Sequence, residues 1–252
     1  LLAAVMVVSL AACAGTPEET TPSTDPATEP VTEPVEDTTE PSTEPTTREN
    51  KLIFGTTTDI TGDWTGGIVT NGATDMMISS MINDYATLVT NQDGSATYTI
   101  SINEGLTYNN GEPITIKDYV FKILLQCSSA AAGLNFTSAT HTAVVGGTDY
   151  RDDAVDVLSG LKIVDDYTMS LSIVPDYAQY YYADTYAAVG PWNIAYWIGE
   201  GYDVADDGEG AYFTKDGEKV NLAVEDIQDH FNAAKAASSD VVSAGPYNLT
   251  KF

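Results

Sequence analysis

The chain of 252 residues predicts a mixed α/β domain of the α+β kind, carried behind an unstructured N-terminal stalk. Three observations predict it. Between Tyr98 and Gln126 a period-two apolar alternation gives way, across two Gly-containing turns, to a capped run with helical periodicity. Between Leu161 and Ile173 two alternating runs flank an Asp165-Asp166 turn, the pattern of a β-hairpin. From Thr16 to Asn50, by contrast, the sequence is almost all Thr, Pro, Glu, Asp, Ser and Ala, in loose repeats such as TEPVTEPVEDTTEPSTEP. Such a tract buries too little apolar surface to offset its conformational entropy, and proline and charge repulsion keep it extended.

Taken in order, Leu1 to Leu10 is an apolar run too short to span a bilayer, which needs about 20 residues, and it reads as the hydrophobic stretch of a secretory signal. No initiator Met or basic start precedes it, so the chain is expected to begin inside its signal peptide. Leu10-Ala11-Ala12-Cys13 resembles a bacterial lipobox, in which the Cys is lipidated and becomes the first mature residue. The expected organisation is a truncated signal peptide over 1–12, lipidated Cys13 and its stalk over 13–50, and a folded region over 51–252. Cys127 is then the only mature thiol, and its place at the end of an apolar helix makes it an inert packed residue.

With 10 Lys plus Arg against 37 Asp plus Glu, the net charge is −27, and phosphate-backbone binding is electrostatically opposed. Nucleic acid is excluded as a partner. The same charge disfavours adsorption to anionic lipid, so a membrane location requires the covalent anchor.

Lys51 to Gly55 reads as a first strand, followed by a Thr/Asp/Gly loop over Thr56 to Gly67 that contains Trp64. Asp75 to Val89 places Met77, Ile78, Met81, Ile82 and Tyr85 on one helical face, which assigns the methionines to the core. Asn91 and Asp93 begin a calcium-like loop, but Ile102 stands where the closing acid would be needed, so no metal is expected there. Tyr98, Ile100 and Ile102 then share the buried face of a strand. Turns follow at Glu104-Gly105 and Asn109-Asn110-Gly111, and Pro113 keeps Glu112 out of the helical region. Thr115 is the N-cap of the next helix and Asp118 completes a capping box, favoured by the helix dipole.

Beyond Cys127, a small-residue segment over Ser128 to Gly133 leads to His141, and this residue, like His230, has no second ligand in metal spacing. Asp152, Asp153 and Asp156 read as a solvated acidic helix start. Gln179 to Trp197 is aromatic-rich and fits two roles, a filled core or the lining of a ligand cleft. Gly190-Pro191-Trp192-Asn193 is the part that faces a cleft, because Gly-Pro breaks the helix. Asp203 to Glu218 reads as an excursion with a hairpin at Lys215-Asp216-Gly217, and Val224 to Ala237 as a helix.

The order Tyr98, Thr99, Gly105, Leu106, Tyr108, Asn110, Gly111, Pro113, Thr115, Asp118, Val120, Phe121 resembles the signature region of extracellular solute-binding proteins of the peptide and nickel type, family 5, which deliver ligands to ABC importers. The Leu161–Ile173 hairpin resembles a further segment of that family, and Gly245 to Phe252 resembles its strand that opens with Gly-Pro-Tyr, which implies a strand there. The resemblance implies a periplasmic-binding-protein-like type II fold, of which this chain carries the first lobe only, incomplete, with the C-terminal lobe missing. Where the family carries tens of residues between the first helix and the signature strand, only Thr90 to Ala96 intervene here. It further implies an oligopeptide or similar small solute as ligand, ABC permease subunits as partners, no cofactor, and a place on the outer face of the bacterial cytoplasmic membrane. Candidate ligand contacts are Thr57, Thr58, Asp59 and Trp64 in the first loop, with Trp192 and Asn193; the loop residues also fit a purely loop-shaping role. A stalked cell-surface enzyme or adhesive module, such as a carbohydrate-active domain using paired acids, is the alternative. No G-x-S-x-G, H-E-x-x-H, P-loop or dinucleotide fingerprint is present, and no enzymatic activity is expected.

Overall fold

The computed structural model describes Ile53 and residues 55–69, 72–83, 87–90 and 96–251. The chain divides into two units, Leu1–Leu52 and Ile53–Phe252, and the described residues all lie in the second. The expected signal peptide, Cys13, the stalk and positions 91–95 lie outside them.

The signature strand sits inside a four-stranded antiparallel sheet. Its strands are β1 (Thr87–Thr90), β2 (Thr97–Ile102), β3 (Leu161–Asp165) and β4 (Thr168–Ser172), in the order β1-β2-β4-β3. The alternation in β2 does what period two demands: Tyr98, Ile100 and Ile102 are buried, and Thr97 and Thr99 are exposed. Ile100 lies opposite Met169 and Tyr98 opposite Leu171, so the two strands present one continuous apolar face. The β3–β4 hairpin forms as expected, with its turn at Asp166-Tyr167, one residue beyond the expected place.

Helices α1 (Ala73–Ile82) and α2 (Ile116–Cys127) come next, then four short turns of helix, α3 (Ala130–Gly133), α4 (Thr140–Ala143), α5 (Gly147–Arg151) and α6 (Pro175–Ala178). They are followed by α7 (Ile194–Ile198) and α8 (Val224–Lys235). A second antiparallel sheet, β5 (Tyr202–Asp206), β6 (Ala211–Lys215) and β7 (Glu218–Val220), is ordered as the chain runs. Its β6–β7 turn is Asp216-Gly217 with φ of 52° and 88°, the two positive angles that a two-residue hairpin loop requires.

The helix α2 organises the domain. Eleven of its twelve residues are buried, the pattern of a helix covered on all sides, because it packs against β3 and β4 of one sheet and β5 and β6 of the other. Its start is fixed as the sequence expects: Thr115 is extended, and its backbone N–H donates to Asp118 Oδ2 at 2.9 Å, the reciprocal half of a capping box. Cys127 ends the helix wholly buried, with its thiol pushed up to about 12 by desolvation, so it stays a neutral packed thiol.

Several expectations are corrected. The helix expected over Asp75–Val89 stops at Ile82, and residues 87–90 instead pair antiparallel with β2, Thr87 opposite Ile102 and Thr90 opposite Thr99. Two threonines and a valine in four residues suit a strand, and the long-range pairing overrides the helical period. Met76, Met77 and Met81 of α1 are exposed by 36–43%, whereas Thr74, Asp75 and Ser79 turn inward. The cause is Asp75, whose buried carboxylate accepts the backbone N–H groups of Thr61 (3.0 Å) and Gly62 (2.8 Å) and so ties the polar side of α1 to the first loop. Ile53 and Gly55 lie in no strand; Lys51, Leu52 and Phe54 are outside the described residues.

Asp152 caps the end of α5 and does not start a helix, and Asp153 beside it has a positive φ. Residues 241–251 form no strand, although Gly245 N–H donates to Ile82 O at 2.7 Å. A Cβ at Gly245 would stand 2.6 Å from the Ile82 carbonyl carbon, which is why the approach takes a glycine.

Candidate functional site

The signature turn builds one side of an open cleft of about 440 Å³. Asn110 and Glu112 come from that turn, Asn193, Tyr196 and Glu200 from α7 and its flanks, and His230, Ala233, Ala234 and Ala237 from α8 and the residues after it. Gly111, at φ 88°, lets the chain double back so that Gly111 N–H reaches Tyr108 O and Tyr108 N–H reaches Glu112 O. Asn109, next to it, fastens the remaining wall. Its Nδ2 donates to Val241 O at 2.8 Å, its Oδ1 accepts Ser243 N–H at 3.1 Å, and Val242 between them lines the cleft.

Asn193 is the N-cap of α7. Its Oδ1 accepts the Tyr196 N–H at 2.8 Å, which leaves Nδ2 to donate to Glu112 Oε2 at 2.5 Å. The amide is thereby fixed in direction and holds Glu112 at the cleft edge. Tyr196 donates its hydroxyl to Ala234 O at 2.9 Å, and burial pushes that phenol up to about 12, so it stays neutral. Glu112, Glu200 and His230 are exposed, so the rim is polar and carries two carboxylates, while Ala233, Ala234, Ala237 and Val242 give an apolar floor.

Of the residues expected to contact ligand, Asn193 lines this cleft directly. Trp64 lies behind it, 1% exposed, with Nε1–H donating to Ala237 O at 2.7 Å, and it packs with Ile82 and Val241 in a small second core. Trp192 is 3% exposed and stacks on Trp197 with ring centroids 4.2 Å apart. Thr57, Thr58 and Asp59 are exposed on the first loop, where the Thr58 and Thr56 hydroxyls bond to that of Thr74. None of these three lines the cleft. Glu112, Tyr196, Glu200 and His230 escape sequence reasoning, since no motif or period marks them. Only the Gly-Pro break before Asn193 signals the place.

A second cleft of about 430 Å³ opens beside α2. Lys122 and Gln126, one helical turn apart, face it, opposite Gly66 and Ile68 on one side and Thr185, Tyr186 and Val189 on the other. The Lys122 ammonium stands 5.1 Å from the centroid of the Trp192 ring, a cation–π contact, and burial lowers its pKa to about 8. The signature also buries two polar side chains, Tyr108 and Asp118. Burial raises Asp118 to about 6 against the opposing pull of the Thr115 hydrogen bonds, and the buried Tyr108 hydroxyl stands beside it without a hydrogen-bond partner at normal geometry.

Among the described residues no group of three or more His, Cys, Asp or Glu side chains could hold a metal ion, and no helix is long and apolar enough to cross a membrane.

No protein-family model and no curated protein matches the chain. Solved structures resemble it loosely. Pheromone receptor PrgZ is 13% identical, with a TM-score of 0.49 over 75% of this chain and 34% of its own. Listeria monocytogenes OppA bound to peptide is 17% identical, with a TM-score of 0.45 over 63% and 37%, and Haemophilus influenzae OppA is 15% identical, with 0.44 over 61% and 36%. The chain thus spans little more than a third of the length of these structures.

Proposed function

We propose that the chain is an extracellular solute-binding protein that captures oligopeptides or similar small solutes for an ABC transporter, with residues 51–252 forming one wall of the ligand site. The observation that supports this reading is the signature itself. Its ordered residues from Tyr98 to Phe121 fold as one strand, turn and capped helix at the centre of the domain, and the turn shapes an open cleft. That cleft offers what a peptide needs: carboxylates of Glu112 and Glu200 for an amino group, the oriented Asn193 amide for a backbone group, and an apolar floor for side chains. In this reading Thr57, Thr58 and Asp59 add contacts from the first loop, and Trp64 and Trp192 back the wall. The chemistry is binding, with no cofactor and no bond broken.

Isothermal calorimetry with a library of short peptides tests the reading. Glu112→Gln removes a charge-assisted contact and should weaken binding about tenfold or more, with little change in melting temperature because Glu112 is exposed; Asn193→Ala should weaken binding as well and also lower the melting temperature, because it deletes the buried N-cap of α7. Saturable peptide binding with the same affinity in both variants would move the ligand away from this cleft.

The proposal extends to the N-terminus: Cys13 carries the lipid, the Thr/Pro/Glu tract acts as stalk, and the folded region is displayed on the outer face of the cytoplasmic membrane, where permease subunits meet it. Cys13→Ser should then shift the protein from the membrane fraction to the soluble fraction in cell fractionation. A variant that stays with the membrane rules out the lipid anchor.

A further inference from the structure

The segment from α6 through the 3-10 turn Ala183–Tyr186 carries five tyrosines and holds them at the surface. We infer that Tyr177, Tyr180 and Tyr186, with the carboxylates of Asp176 and Asp184 on the same turns, form a binding site for a small methylated ammonium ion of the choline class. This inference does not depend on the peptide reading of the first cleft.

The arrangement of the rings is the first support. Tyr180 stands at 84° to Tyr177 with centroids 5.6 Å apart, and Tyr186 at 89° and 5.8 Å. A cation is attracted by a ring face within about 6 Å of its centroid, so perpendicular rings at these spacings bring more than one face within reach of the same ion. Two of the walls are fixed. Tyr177 and Tyr186 are half-buried against the main core, and the Tyr177 hydroxyl shares a hydrogen bond of 3.1 Å with Thr142 Oγ1. The third is open, since Tyr180 is 60% exposed. Burial, and then the neighbouring phenols of Tyr177 and Tyr180, push the Tyr186 phenol up, so that ring keeps its proton.

Charge is the second support. From Ile163 to Thr214 the sequence has nine Asp and Glu and no Lys, Arg or His, and Asp176 and Asp184 are both exposed. A field of one sign around ring faces favours a cation.

The third support is what other tyrosines of this chain do. Lys215 stands 4.7 Å from the centroid of the Tyr202 ring, and Lys219 stands 3.9 Å from that of Tyr212. Among the described residues no Lys or Arg stands over Tyr177, Tyr180 or Tyr186; Lys122, which lines the second cleft with Tyr186, stands over Trp192 instead. These ring faces are therefore left for an external cation. With the Tyr177 hydroxyl already bonded to Thr142, the corner offers ring faces more than hydrogen-bond acceptors. A methylated ammonium, which has no N–H to satisfy, loses least on entering it.

The test titrates the full chain with choline and follows the methyl protons of the ligand by nuclear magnetic resonance. 3,3-Dimethylbutan-1-ol keeps the shape and removes the charge, and ethanolamine keeps the charge and removes the methyl groups. Choline should bind saturably and about tenfold more tightly than the neutral alcohol. Tyr180→Leu should abolish that preference and Tyr180→Phe, which keeps the ring face, should retain it; Tyr180 is exposed, so both variants should fold. Glu112→Gln, in the first cleft, should leave the preference unchanged, and so should Tyr181→Leu, whose ring pairs with Tyr182.

Equal binding of choline and the neutral alcohol to the unaltered protein would overturn the inference. Ethanolamine stands for the primary ammonium of a lysine on a protein partner, and its binding as tightly as choline would overturn the methylated ligand. A preference that survives in Tyr180→Leu, or that is lost in Glu112→Gln or Tyr181→Leu, would place the cation elsewhere and overturn the site.

Discussion

Trp192→Ala is expected to destabilise the domain by about 3–5 kcal/mol, the usual cost of deleting a buried aromatic ring. The ring is 3% exposed and packs among four aromatic neighbours. It stacks on Trp197 at 4.2 Å with 16° between planes, meets Phe136 at 90° and 6.4 Å, and lies 6.2 Å from Phe231 and 6.5 Å from Phe121. Phe121 and Phe231 come from α2 and α8, so the cavity left by alanine would open where three elements meet. Collapse around it is hindered because Trp192 N–H is tied to Asp118 O at 3.1 Å. For a domain of this size such a loss lowers the melting temperature by roughly 10 °C or more, read by thermal denaturation followed in the near-ultraviolet. Loss of peptide affinity at an unchanged melting temperature would instead assign the ring a direct ligand contact.

Trp192 also shows how far the sequence could be read. The Gly-Pro break before it marks a place where chain direction changes, and of the four residues there Asn193 lines a cleft. Whether the adjacent indole points outward or inward is decided by Phe136, Trp197 and Phe231, which are brought to it by long-range packing that no local pattern reports. The signature unit was legible because its information is local: alternation in Tyr98 to Ile102, glycines at two turns, and a cap three residues from its partner.

The opposite case is Thr87–Thr90, where a helical period continued on paper while the chain paired with β2. The inward turn of Asp75 belongs to the same class, since its partners, the Thr61 and Gly62 amides, lie fourteen and thirteen residues away. The rim of the first cleft was illegible for the same reason: Glu112, Glu200 and His230 meet only after the second sheet has returned the chain to α8.

Asp118 gives the second large effect, and it is one of pH. Burial raises its pKa from the ordinary 3.8 to about 6, although the Thr115 N–H and its neighbours in the cap favour the charged form. Between those two values the folded state holds a proton that the unfolded state has released. The folded state therefore binds more protons than the unfolded one, and stability falls as pH rises through that window. The contribution is fully present below about pH 4 and is lost once the pH has passed about 6, a difference of about 3 kcal/mol at 1.36 kcal/mol per unit.

Asp118→Asn keeps an oxygen for the Thr115 N–H and carries no charge at any pH. Its unfolding free energy in urea should exceed that of the parent by about 2–3 kcal/mol at pH 7 and match it near pH 4. The Tyr108 hydroxyl, buried beside the same carboxyl and kept neutral by burial and by the Asp118 charge, should be relieved in the variant as well. Because the chain carries 37 carboxylates, acid itself changes stability through many groups, so the measured quantity is the difference between parent and variant across pH 4 to 7. A difference that stays constant over that range, or a variant less stable at pH 7, would mean that the cap hydrogen bonds outweigh burial and that Asp118 is charged at no net cost in the folded domain.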